Sequence, residues 1–161
     1  MKRIVIWTSI FTAFAVFLLV YPLSGLNWKP FRCNAQLTAR VTTNNNTKID
    51  LNVNINIISH QVDQNEVLFV GSLKEANKNY TVYRRIFVTS KPADINGYST
   101  AVITGEEHNP NDNVPDALWH TYVLPDIPGV EFYAKTREIG KNLLFYRGLE
   151  IPMLVCTITN N

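Results

Sequence analysis

The chain has 161 residues and a formal net charge of only +2, with 17% charged and 46% hydrophobic residues. That length holds one compact domain beside a short leader, and not two. Lys and Arg are scattered, so neither a nucleic-acid surface nor a polybasic lipid patch is indicated.

The first predicted element is a transmembrane signal anchor over residues 4–23, because no residue from Ile4 to Leu23 carries a charge. As a helix this run reaches about 30 Å, the thickness of the hydrocarbon core of a bilayer. Lys2 and Arg3, within residues 1–3, mark its cytoplasmic end. Trp7, Tyr21 and Trp28 lie near its two ends, where amphipathic rings favour the headgroup level. Residues 24–30 come next as a linker, and residues 31–161 as an exported β domain. A cleaved secretory signal is the competing interpretation. The run is longer than the usual signal core, and Tyr21-Pro22-Leu23-Ser24-Gly25 offers no A-x-A-like pair, which favours a retained anchor. Both interpretations export the residues after Leu26. With so little chain before the span, a message across the membrane is expected to pass through a partner.

Cys33 and Cys156 are the two cysteines. In an oxidising compartment an even pair is expected as a disulfide, here joining the first segment of the domain to its last; buried thiols or metal ligands are the alternatives. From Cys33 to Val41 apolar residues fall at every second position, and Ile49, Leu51, Val53, Ile55 and Ile57 repeat the pattern. Thr43-Asn44-Asn45-Asn46-Thr47 supplies turn chemistry between them, so the two runs form a hairpin. Strands are predicted at Glu66–Leu73, Tyr80–Thr89 and Tyr98–Glu107, separated by Asn77-Lys78-Asn79, Lys91-Pro92 and Asn96-Gly97. One short helix is predicted over Val114–Val123, with Asn113 as its cap, Pro115 in its first turn and Pro125 beyond its end. Strands resume at Val130–Arg137, Leu143–Tyr146 and Ile151–Ile158, the first two joined by Gly140-Lys141-Asn142. About eight antiparallel strands in a mainly β domain of this size close into a barrel, lipocalin-like in outline, or stack as two sheets; a disulfide joining the end strands favours closure.

No nucleophile elbow, phosphate loop or dinucleotide fingerprint occurs, and the chain is not expected to be an enzyme or to hold a cofactor. His60, His108 and His120 lack metal-ligand spacing, so no metal site is expected. Asp116 and His120 stand four apart on the predicted helix, where a surface contact is favoured over an acid–base couple. Glu106 and Glu107 point to opposite faces of a strand and cannot act together. Arg84 and Arg85 likewise project to opposite faces, so one guanidinium turns inward and needs an anion. That anion is either an Asp or Glu of a neighbouring strand or the acid group of a ligand.

The short basic start and single span, then "FRCNAQLTARV", "NYTVYRRIFV", "PDALWHTYVLP" and a closing "PMLVCTI", resemble the FidL-like inner-membrane proteins of bacteria. Within that resemblance Cys33 and Cys156 match an end-to-end cysteine pair. FidL-like proteins are similar in layout to ToxS-type accessory proteins, which are encoded beside a membrane-spanning transcription regulator and associate with its periplasmic domain. The resemblance implies a single-pass inner-membrane protein whose periplasmic β domain stabilises or tunes a ToxR-like regulator. Some relatives of that type form a barrel with the partner and bind bile-salt-like amphiphiles, but none of their ligand residues can be matched here. The alternative expectation is a periplasmic carrier or sensor of an apolar or bile-salt-like ligand, with or without such a partner, which requires an unfilled barrel interior.

Overall fold

The computed structural model of the chain describes residues 30–61, 63–92, 97–124, 129–149 and 152–159. The expected span at 4–23, with Lys2, Arg3, Trp7, Tyr21 and Trp28, lies outside the described residues. Among those described, no helix is long and apolar enough to cross a membrane.

Eight antiparallel strands close into a barrel in simple chain order. They are β1 (Phe31–Thr42), β2 (Lys48–Ser59), β3 (Gln64–Glu75), β4 (Lys78–Pro92), β5 (Ser99–His108), β6 (Glu131–Gly140), β7 (Leu143–Arg147) and β8 (Pro152–Thr159), with one helix, α1 (Asp116–Tyr122), between β5 and β6. Alternation explains the wall. In β2, Ile49, Leu51, Val53, Ile55 and Ile57 all turn inward and are at most 5% exposed, while Asn52 and Asn54 face solvent. Each such aliphatic side chain contributes about 1.5–3 kcal/mol by leaving water. A one-residue slip would turn the whole row outward, so the register is strongly specified.

Short turns join the long strands. Asn46 (φ 61°) and Asn142 (φ 63°) occupy the left-handed region in the β1–β2 and β6–β7 connections, a conformation Asn adopts more readily than most residues. The β3–β4 turn sits one residue earlier than predicted, on Ala76 and Asn77, because Glu75 pairs with Lys78 to keep both strands in register. Phe69, Gly71 and Leu73 succeed one another on the inner face of β3. A Cβ on Gly71 would run into the Asn52 carbonyl oxygen and the Val53 Cα, so the close approach of β2 and β3 requires glycine there.

The barrel is uneven. β6 pairs only with Ser99–Val102 of β5, and β8 only with Arg32–Asn34 of β1. Among the described residues no strand continues the wall beside Ile103–His108 of β5 or Ala35–Thr42 of β1. The connection from β5 to β6 brings α1 into contact with the interior, placing a fully buried Trp119 edge-on against Phe69, with ring centres 5.3 Å apart. The short β1–β8 seam is stapled by the predicted disulfide between Cys33 and Cys156, Cα atoms 5.5 Å apart and 123 residues apart in sequence. By the chain-entropy model, closing so long a loop stabilises the fold by about 5 kcal/mol.

One local prediction is corrected. Asn113 does not cap the helix: Pro115 occupies the N-cap position and no side chain caps the turn. The Asn113 Oδ1 instead accepts a hydrogen bond from the Thr81 backbone N–H at 2.7 Å. A tertiary partner on β4 outcompetes the local one.

Candidate functional site

The barrel interior is packed at one level and hollow at another. Toward the β1–β2 and β3–β4 turns, Ile49, Leu51, Leu73 and Val82 fill it, with Trp119 buried against Phe69 and Arg84. Toward the opposite end a cavity of about 530 Å³ opens between all eight strands, and Leu124 beyond α1 completes its lining. Its wall is apolar: Ile55 and Ile57 of β2, Val67 of β3, Ile86 and Val88 of β4 and Ile103 of β5 face Phe132, Leu144 and Leu154 across it. The volume falls within the range of ligand sites, roughly 300–1,000 Å³.

Small polar side chains gather where β1 begins. Ser59 ends β2, Asn65 is the second residue of β3, Ser90 lies near the end of β4 and Ser99 starts β5, and all four line the cavity. Asn65 Nδ2 donates to Ser90 Oγ at 3.4 Å, and Ser59 Oγ donates to the Gln61 carbonyl at 3.3 Å. Thr136 of β6 and Tyr146 of β7 are register partners on the same lining. Burial pushes the Tyr146 phenol up to about 12, so it stays neutral at ordinary pH. Among the described residues no Asp, Glu, Lys, Arg or His side chain lines the cavity.

A second polar centre lies on the helix side of the core. Arg84 of β4 is fully buried. Its Nη1 lies 2.9 Å from Glu106 Oε1 and 3.1 Å from Asp116 Oδ1, and its Nη2 lies 3.1 Å from Asp112 Oδ1. Nη2 also donates to the Val114 carbonyl, and the guanidinium stands 4.9 Å from the centre of the Trp119 ring. Asp112 takes two backbone N–H groups as well, Tyr83 at 2.7 Å and Val114 at 3.1 Å. Burial opposes the Arg84 charge, and the hydrogen bonds that it donates to Asp112 and Glu106 outweigh that cost, so the pKa rises above the ordinary arginine value. The centre anchors the β5–β6 connection to the barrel wall.

Arg84 is therefore the inward member of the Arg84-Arg85 pair, and its anions come from the protein. Glu106 on the neighbouring strand is of the predicted kind; Asp112 and Asp116 come from the connection, which the sequence pattern shows only as a polar loop and a helix start. Arg85 turns outward to Glu66 and Glu107, at 3.8 and 3.9 Å. Asp116 and His120 find different partners: Asp116 joins Arg84, and His120 Nε2 lies 3.7 Å from Glu106 Oε2. His108 Nε2 lies 3.1 Å from Glu106 Oε1. Among the described residues no group of His, Cys, Asp and Glu is arranged to hold a metal ion.

The cavity itself escaped the sequence pattern. Its trace is the run of small or short polar residues at inward positions, Ser59, Ser90, Ser99, Ala101 and Ala134, where a filled barrel would carry large aliphatics. Comparison with protein-family models, curated proteins and solved structures finds no match to this chain.

Proposed function

We propose that the β domain binds an apolar small molecule inside its barrel, as a carrier or sensor. The observation that supports this is the apolar cavity of about 530 Å³ beside a packed core layer of the barrel. An unfilled interior of this size sacrifices packing contacts that larger side chains would supply, and a bound apolar molecule restores them. A ligand that binds the folded barrel alone stabilises it by about 2.7 kcal/mol at a hundredfold excess over its dissociation constant. Urea unfolding of the full chain with and without long-chain alcohols therefore tests the proposal. The midpoint rises with alcohol concentration if the cavity binds; an unmoved midpoint at saturation opposes the proposal.

A second role is compatible with the first. We propose that the chain is held in a bacterial inner membrane by residues 4–23 and serves as the periplasmic partner of a transmembrane regulator, the role implied by its resemblance to FidL-like proteins. The edge of β1 at Ala35–Thr42 supports this, because among the described residues no strand pairs with it on the β8 side. Exposed edges are pairing templates that proteins ordinarily cover. A photo-crosslinker at Thr38, exposed on that strand, is expected to capture the regulator encoded nearby. Capture of no membrane regulator would oppose the role.

A further inference from the structure

Resting on the cavity as a ligand site, we infer that its ligand is an uncharged amphiphile, a long-chain alcohol or ester and not an ionised fatty acid or other anionic detergent, with its oxygen at the Ser59–Asn65–Ser90–Ser99 end.

An ionised head would lack a counter-charge in this cavity. An ion taken out of water into an apolar enclosure needs a counter-charge or several hydrogen bonds, and among the described residues no cation lines the cavity wall. Arg32 and Lys91, the chain neighbours of Phe31 and Ser90 at the polar end, are exposed on the outward face of their strands, and Arg84 and Arg85 are engaged elsewhere. Arg84 is saturated by Glu106, Asp112, Asp116 and the Val114 carbonyl. Arg85 faces solvent beside Glu66 and Glu107. The Lys135 ammonium stands 5.5 Å from the Tyr98 ring centre, and Lys135 alternates with the inward Ala134 and Thr136 along β6. Among the described residues no carboxylate lines the cavity either, so a cationic amphiphile is no better served.

The polar side chains set the orientation. Serine and asparagine side chains both donate and accept, which matches a hydroxyl or an ester oxygen. They are clustered at the strand ends where β1 begins, while Ile103, Phe132 and Leu144 face the tail elsewhere in the cavity. Such a site distinguishes a neutral head from an ionised one of the same chain length.

The test uses the full chain with Trp7→Phe and Trp28→Phe, which leaves Trp119 as the only one of the three tryptophans. Trp119 touches Phe69, which lines the cavity, so a bromine-bearing chain bound there quenches its fluorescence. Three probes of equal length are compared well above the carboxylic acid range of about 4: bromododecanol, methyl bromododecanoate and bromododecanoate. The alcohol and the ester are expected to quench at similar concentrations, and the carboxylate to require at least about 100-fold more. Thr136→Lys, at an exposed position of the lining, is expected to narrow that ratio by improving carboxylate binding while alcohol binding stays within about threefold. A carboxylate that matches the alcohol in the parent chain overturns the inference, as does a ratio that Thr136→Lys leaves unchanged. Quenching by none of the three overturns the cavity as a ligand site, a result distinct from loss of selectivity.

Discussion

The guanidinium of Arg84 lies over the indole of Trp119, 4.9 Å from the ring centre, so one buried cation joins the barrel wall to the helix that covers its incomplete side. The same cation neutralises Glu106 and Asp112, whose side chains are 9% and 2% exposed. Arg84→Met would remove the charge and leave those buried carboxylates without the cation that neutralises them. It is expected to destabilise the fold by about 3–5 kcal/mol, read as a fall in the urea midpoint. Arg85→Met, on the solvent side, should change stability by less than about 1 kcal/mol.

Arg84→Lys separates charge from geometry. Lysine keeps the positive charge but cannot reach three carboxylates and a carbonyl with one ammonium. A loss of about 1–3 kcal/mol is expected, between the effects of Arg85→Met and Arg84→Met. Equal stability of Arg84→Lys and the parent would show that charge alone suffices.

Gly71→Ala tests the close approach of β2 and β3. The added methyl meets backbone, the Asn52 carbonyl and the Val53 Cα, which cannot swing aside as a side chain would. Destabilisation of more than about 1 kcal/mol is expected from the forced backbone shift. Gly129→Ala gives a contrast, since nothing lies within 4 Å of its Cβ position and only its φ of 87° opposes the change.

Reducing the Cys33–Cys156 disulfide should loosen the seam before the rest of the barrel. Only Arg32–Asn34 pair with β8 there, so the staple carries much of the closure. Cys33→Ser with Cys156→Ser is expected to lower stability by about 2–5 kcal/mol. Hydrogen exchange should rise first at Cys33, Asn34 and Thr157.

Alkaline pH offers a readout of the cavity wall. The folded Tyr146 phenol titrates at about 12 instead of 10.0, because burial disfavours the phenolate. A raised folded pKa means the native state holds its proton more tightly. The stabilisation is full below about pH 10 and lost as pH rises toward 12, on the order of 3 kcal/mol in all. Tyr146→Phe should remove this part of the alkaline decline, measured as the difference in urea midpoint between the two chains across that range.

Much of the fold is legible in the sequence because β2 alternates without a break, and a strand with one apolar face needs a closed or stacked partner. The inward arginine of the Arg84-Arg85 pair is legible for the same reason, as a matter of parity. Asp112 is not, since nothing local marks one carboxylate in a polar loop as the partner of a cation on β4. Asn113 misleads: its position suits a helix cap, yet the Thr81 N–H binds its side chain. The cavity is hardest to see, because a void is a sum over many inward side chains from every strand. Only the substitution of Ser, Asn and Ala for aliphatics at Ser59, Asn65, Ala101 and Ala134 hints at it.

The most direct test of the ligand-binding barrel is mass spectrometry of small molecules extracted from the purified full chain and from Ala134→Phe, whose added ring would occupy the cavity that Ala134 lines. The parent chain is predicted to carry close to one apolar molecule per protein, and the folded variant to carry almost none. Parent chain that comes through purification with no apolar molecule and binds none on addition, or a variant loaded as fully as the parent, would contradict the account.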